Sequence, residues 1–318
     1  MSGAQAASAR FTPSLGRGIA LACLTILIWG AFLPVSKTVL ARIDPYFLNA
    51  GRFAIGALVF LALAVRTEGW QVLRPRDGAS GKSLWPMAIL FGVAGHFGYS
   101  HLVYQGAPLT RAEVGSALLA LTPVWLAFYQ WRTGISRPNL GVVAAIGCVV
   151  VGEWLVVTQG DLSRLASGAM VGNLLIVASS LCWAFYTIGG QRMGAKGQSA
   201  LAFTAQTTLA GTAALIGACI VAYAMDAATP PSMADLQAVF WPLAFLVVFV
   251  TCISFLTWSM AVRHLGPLNA GLFAPFAPVI TFLIALTQGQ QFVLLEILGA
   301  AMVIGALVIY NVMQRRKT

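Results

Sequence analysis

The chain is short of charge. Only 9% of its 318 residues are Asp, Glu, Lys or Arg, and acids are scarcest, nine against nineteen basic residues. A soluble domain carries about 25% charged residues, so this chain has too few to cover a water-facing surface. Ligands for metal or redox chemistry are missing too. Cys23, Cys148, Cys182, Cys219 and Cys252 form no C-x-x-C pair, and His96, His101 and His264 are not spaced as a ligand set. The cysteines read as small apolar packers, and the histidines as hydrogen-bonding groups within a bundle or at its interface. No metal and no cofactor is expected. Catalytic motifs fail on inspection: Gly98-Tyr99-Ser100-His101 starts like a nucleophile elbow but has Leu102 where a second Gly is required. Gly81-Lys82-Ser83 ends like a phosphate-binding loop, yet Arg76 stands at its first Gly. An enzyme is therefore not expected, and with no ATP site any transport must run on a gradient.

Apolar residues are what the chain has in excess, at 59%, with a mean hydropathy of +0.84. A membrane-spanning helix needs about 20 apolar residues. Ten such runs occur, over 18–40, 46–66, 84–106, 110–131, 138–157, 168–190, 199–224, 237–262, 268–287 and 292–313. The first is too long for a signal peptide and has no small-residue cleavage site after it. With the N-terminus inside, the cytoplasmic segments hold fourteen Lys and Arg residues and the outer segments and flanking helix ends five. That bias predicts cytoplasmic N- and C-termini. It also accounts for the net charge of +10 by an anionic lipid surface, without nucleic acid.

The chain repeats itself at an offset of 154 residues. Gly18, Leu21, Leu27 and Trp29 return as Gly172, Leu175, Leu181 and Trp183; Ser100 and Tyr104 match Ser254 and Trp258; Arg52 faces Gln206. After small slips Pro123 matches Pro278, and Leu140-Gly141-x4-Ile146-Gly147 returns as Leu298-Gly299-x4-Ile304-Gly305. The expected organisation is an all-α integral membrane protein. It has a cytoplasmic tail over 1–17, a five-helix repeat over 18–157, a linker over 158–167, a second five-helix repeat over 168–313 and a tail over 314–318. Five spans is an odd number, so the second unit enters from the other side and the repeats are inverted, the usual build of a carrier with outward- and inward-open states.

Two kinds of residue mark a candidate site. Trp29 with Trp183, and Tyr104 with Trp258, occupy repeat-related points; Ser100 and Ser254 lie one turn before the latter pair, on the same helix faces. They predict a cavity wall that packs against an organic solute, with Tyr99, Tyr186 and Gln206 adding hydrogen bonds. Interfacial anchoring is the competing reading for each Trp. Pro123 and Pro278, with Pro275 one turn before the latter, interrupt spans four and nine and free carbonyls near Leu119 and Ala274. Interrupted helices at matching places of two halves mark transporter sites, and these prolines are the candidate gates, while Pro34 has no counterpart and competes with a plain packing kink. Lys37, Arg52, Glu113, Glu153 and Glu296 lie near span ends, where snorkelling explains them as well as function does. No carboxylate falls at mid-depth, which disfavours proton coupling through a central acid. Gly141-x-x-x-Ala145 and Ala301-x-x-x-Gly305 are small-residue stripes suited to helix packing or to a homodimer contact.

Together the ten spans, the Trp in the first helix of each half, Leu121 to Val124 (L-T-P-V), Phe276 to Val279 (F-A-P-V) and the L-G-x4-I-G strings resemble the EamA-type exporters of the drug/metabolite transporter superfamily, over residues 18–313. Within it the chain is similar to the YddG-type exporters of aromatic and other amino acids. The resemblance implies a carrier of the bacterial inner membrane that moves small organic solutes, amino acids first, outward by alternating access. Many members carry an acid before the last helix of each half; here those places read Trp131-Arg132-Thr133 and Gln288-Gly289-Gln290, so no role for that acid carries over. Rival expectations are a carrier for nucleotide-sugars or drug-like cations, and a non-transporting scaffold or intramembrane enzyme. A cation site wants an acid in the cavity, and none is offered.

Overall fold

The computed structural model describes residues 12–119, 121–134, 144, 147, 148, 151, 152, 154, 155, 158–161, 168–271, 273, 274 and 276–315. Regular structure among them is helical apart from an isolated antiparallel bridge between Arg76 and Ser83. Helix α1 runs Leu15–Leu40 and α2 Pro45–Glu68. Asp44 caps α2 by accepting the Tyr46 N–H at 2.8 Å, and Pro45 sits in the first turn, where its missing N–H costs nothing. Span three comes in three pieces: α3 Trp85–Gly92, a π-helical stretch Val93–Gly98, and α4 Tyr99–Gly106. Span four is α5 Ala112–Leu119 and α6 Thr122–Arg132.

The second half follows the same plan. Helix α7 is Gly168–Ala195 and α8 Ala200–Ala224, the latter capped by Ser199. A short α9, Met233–Ala238, precedes span eight, which is α10 Phe240–Phe245, a π-helical stretch Leu246–Ile253 and α11 Ser254–Leu265. Thr251 Oγ1 donates to the Leu246 carbonyl at 2.9 Å within that stretch. Span nine is α12 Pro267–Gly271 and α13 Phe276–Thr287, and span ten is α14 Leu294–Arg315.

Seven stretches among the described residues are long and apolar enough to cross a membrane, and they correspond to spans one, two, four, six, seven, eight and nine. Span three, in its three helical pieces, and span ten, over Leu294–Arg315, are helical as well. Most of span five lies outside the described residues, as do residues 1–11 of the N-terminal tail, 162–167 of the linker and 316–318 of the C-terminal tail. Leu27, Leu58, Leu174, Ile220 and Leu283 point outward and exposed, as a lipid-facing girth requires.

Packing runs between halves. Helix α1 lies along α11 and α13; α4, α5 and α6 lie along α7; α2 lies along α8. The first set of neighbours, moved 154 residues along, becomes the second. Close approach depends on glycine. A Cβ on Gly92 would stand 2.3 Å from the Thr207 carbonyl oxygen, and one on Gly106 would stand 2.8 Å from that of Gly172. Backbones can touch there only because no side chain intervenes. Of the Ala301 stripe, Ala301 is exposed, and among the described residues spans five and ten approach closely at Gly152, whose Cβ would meet the Gly299 carbonyl oxygen at 2.6 Å. Gly141 and Ala145 lie outside the described residues.

Candidate functional site

Both interrupted spans open onto one cavity. It leaves about 30 Å³ of free space between Trp29, Phe32 and Leu33 of α1, Tyr99 of α4, Trp183 of α7, Ser116 and Leu119 of α5, Thr122 of α6, and Ala274 and Ala277 of span nine. Its free space is narrow, with room for roughly two ordered waters, so a solute enters only if the walls part. The break after Leu119 and the break before Phe276 stand at matching points of the two halves, and each contributes wall residues.

The backbone groups at these breaks are engaged. Pro34 leaves the Gly30 carbonyl without its helical donor, and Thr281 Oγ1 of α13 fills the place at 2.7 Å. The same hydroxyl lies 3.0 Å from Ser116 Oγ, so spans one, four and nine are tied at the cavity. The carbonyls expected to be free already hold one donor each: Leu119 accepts from Thr122 Oγ1 at 3.0 Å, and Ala274 accepts from the Ala277 N–H at 3.0 Å. A carbonyl has two lone pairs, so each keeps one for a further donor. Pro123 lies in the first turn of α6 and Pro278 in the first turn of α13; Pro275 lies outside the described residues.

Three of the four repeat-related aromatics meet, Tyr104 being the exception. Trp29 and Trp183 are edge to face at 5.2 Å, Trp29 and Trp258 are 4.8 Å apart, and Trp183 and Trp258 6.0 Å. Tyr99 and Tyr186 pack on Trp183 at 4.9 and 5.0 Å, and Phe255 closes the group at 5.2 Å. Such spacings are the favourable ones for aromatic pairs, each adding about 0.5–1.5 kcal/mol beyond burial. Trp29, Tyr99 and Trp183 face the cavity, while Trp258 and Tyr186 form the layer behind. Trp29 donates to Ser254 Oγ at 2.9 Å, Trp258 to Thr187 Oγ1 at 3.2 Å, and the buried Trp183 Nε1 has no acceptor.

Ser100 and Tyr104 belong to a second group, around Arg52. The Arg52 side chain is 1% exposed, donates to Ser100 Oγ at 3.1 Å and Thr251 Oγ1 at 3.4 Å, and lies over the rings of Phe53 at 4.5 Å and Tyr104 at 4.8 Å. Arg52 thus does not snorkel. Lys37 is half-buried, and its ammonium donates to the Thr110 carbonyl at 2.6 Å. Glu296, 1% exposed, pairs with Arg111 at 2.5 Å. Gln206 stands apart from the cavity, its amide donating to the Val72 carbonyl at 2.9 Å and to Gln198 at 3.1 Å. His96 is buried against Thr207 and Thr208, at 3.3 and 3.4 Å.

Several wall residues carried no signal in the sequence. Phe32, Leu33, Ser116 and Thr122 are ordinary membrane residues; Phe32 and Leu33 lie one turn from Trp29 and share its face, while Ser116 and Thr122 flank the break in span four.

Comparison with known proteins agrees with this architecture. The EamA-like transporter family matches residues 16–158 and again 170–312, two segments 154 residues apart. The uncharacterized transporter YrdR of Bacillus subtilis (strain 168) is 27% identical over 304 residues, 94% of this chain and 92% of its own. The uncharacterized inner membrane transporter YedA of Escherichia coli (strain K12) is 24% identical over 267 residues, 83% of this chain and 80% of its own. A probable terminal-alkyne amino-acid exporter of Streptantibioticus cattleyicolor is 22% identical over 298 residues, 93% of this chain and 94% of its own. One solved crystal structure, 21% identical, superimposes with a TM-score of 0.69 over 95% of this chain and 99% of its own, and so shares the fold. With both halves of a multi-pass helical chain matched, the protein belongs to the EamA-like transporter family.

Proposed function

We propose that the protein exports amino acids, aromatic ones among them, across the bacterial inner membrane by alternating access between two inverted five-helix repeats. The observation that carries this reading is the convergence of two interrupted spans on one aromatic-walled cavity. In a transporter, broken helices at corresponding places flank the solute. Trp29, Tyr99 and Trp183 would pack on an apolar or aromatic side chain. The spare lone pairs of Leu119 and Ala274 would accept from its ammonium group. Trp258, Tyr186, Ser254, Ser100 and Tyr104 hold that wall from behind, and Pro123 and Pro278 mark the hinges. Amino acids are favoured further by the relative named an amino-acid exporter.

Alternating access draws support from ties at both ends of the bundle. Arg111–Glu296 at 2.5 Å and Arg42–Asp235 at 3.7 Å lie at one end. Lys196–Asp77, also 2.5 Å, lies at the other, which the excess of Lys and Arg assigns to the cytoplasm. A carrier opens one set while the other holds. The test is uptake of radiolabelled amino acids into liposomes containing the purified protein, with and without a pH gradient. Uptake of at least one aromatic amino acid above protein-free liposomes is expected, and background uptake of every amino acid would refute the substrate class.

A further inference from the structure

Arg52 is a cation inside the bundle with no counter-charge among the described residues. It lies midway along the first half of α2, and no carboxylate of the described residues is in ion-pair reach; the described ion pairs all lie toward the ends of the bundle. Its neighbours are neutral hydroxyls and ring faces, with Phe32 the third ring, at 5.8 Å. Ring faces attract a cation but do not neutralise it, and an unpaired charge at this depth is costly to keep. Holding three helices together does not require that cost. Gln206 at the repeat-related position ties its helix to its neighbours with a neutral amide.

Several polar atoms near it are left unsatisfied. Arg52 Nε is a buried donor without an acceptor, and Asn49 Oδ1, whose amide nitrogen donates to the Ser100 carbonyl at 3.3 Å, is a buried acceptor without a donor. The hydroxyls of Tyr104 and Ser36 and the His96 Nδ1 are buried there too, and each can donate or accept. A guanidinium fork with a spare N–H, beside hydroxyls able to donate, matches the oxygens of a carboxylate, which Arg binds through two parallel hydrogen bonds. The route is short, because Phe32 lines the cavity on one side and lies against the guanidinium on the other. Tyr99, a second wall residue, is within electrostatic reach of Arg52.

We infer that Arg52 is the subsite for the carboxylate of the transported solute, reached from the aromatic cavity when Phe32 swings aside. This rests on the amino-acid reading above and adds to it which end of the molecule points toward span two.

The experiment measures quenching of the intrinsic Trp fluorescence of the full chain in nanodiscs by four ligands. They are phenylalanine, phenylalaninamide, phenethylamine and 3-phenylpropionate. Phenylalanine and 3-phenylpropionate should bind at least tenfold tighter than the two ligands without a carboxylate. Arg52→Gln should erase that preference, and Arg52→Lys should keep part of it. If Arg52→Gln does not fold, Arg52→Lys and the wild-type series decide. A preference for the carboxylate that survives in Arg52→Gln, or equal wild-type binding of phenylalanine and its amide, would overturn the assignment. Wild-type binding of 3-phenylpropionate without phenylalanine would refute the amino-acid reading and keep the carboxylate subsite; binding of none of the four would refute both.

Discussion

Trp29 on the first span donates its indole N–H to Ser254 on the eighth at 2.9 Å. The repeat-related pair is Trp183 and Ser100, and there the bond is missing: Ser100 Oγ accepts from Arg52 instead, and the Trp183 N–H is buried with no partner. One half of the aromatic wall is therefore fastened and the other has a donor to spare.

The difference predicts opposite responses to the same substitution. Trp29→Phe breaks a hydrogen bond, leaves Ser254 short of a donor and should lower stability by about 1 kcal/mol more than Trp183→Phe. Trp183→Phe loses no bond within the protein, so its main effect should fall on solute affinity. Thermal unfolding and uptake measured on both variants check the pair. A larger stability loss in Trp183→Phe, with transport intact, would make Trp183 a packing residue only.

Much of this arrangement was legible in the sequence because it depends on spacing. The 154-residue offset, the paired Trp residues and the prolines of spans four and nine are positional facts, and helix geometry carries them to one place. Arg52 was visible as a break in the repeat, opposite Gln206, and as an ionisable residue near a span end that could snorkel; its burial depends on Thr251 and Ser100, which two other spans deliver. The π-helical stretches 93–98 and 246–253 were hidden because their causes are local packing and hydroxyls such as that of Thr251. Gln206 shows the opposite failure. A polar residue in a span suggests a site, yet here a nearby backbone carbonyl, that of Val72, uses it.

Backbone contact between spans three and seven predicts a large cost for a single methyl group. Gly92→Ala would place Cβ 2.3 Å from the Thr207 carbonyl oxygen, and the helices must separate to admit it. A loss of about 1–3 kcal/mol is expected. Gly51→Ala on α2 meets nothing within 4 Å and should be neutral or slightly stabilising. Thermal unfolding in detergent compares the two, and equal midpoints would contradict the close packing.

Restoring the missing N–H in span nine should stiffen it. Pro278→Ala supplies a donor for the Ala274 carbonyl and continues the helix toward the break. Solute binding should weaken, because the new N–H takes the lone pair of Ala274 that would accept from the ammonium, and the transport rate should fall several-fold. Unchanged rates in both Pro278→Ala and Pro123→Ala would assign the prolines to packing.

The tie between Lys196 and Asp77 should make stability depend on acid. The Lys196 ammonium and the N–H groups of Ala79 and Ser80 hold the Asp77 carboxyl well below the usual carboxylate range. A carboxylate depressed in the folded state contributes stability in full above its unfolded value, about 3.9, and loses it as pH falls toward the folded value. Asp77→Asn should thus lower the unfolding midpoint at pH 7, and the gap to wild type should close below about pH 4. A gap of constant size across that range would rule out the charge of Asp77 as its source.

Counterflow tests the central claim most directly. Proteoliposomes loaded with unlabelled phenylalanine are diluted into a trace of labelled phenylalanine, and the transient internal accumulation of label is followed. A carrier that alternates around a single site exchanges one molecule for the other, so accumulation above the equilibrium level is expected in wild type and should be reduced in Trp183→Phe. Label that never rises above equilibrium in the wild-type protein would contradict the account.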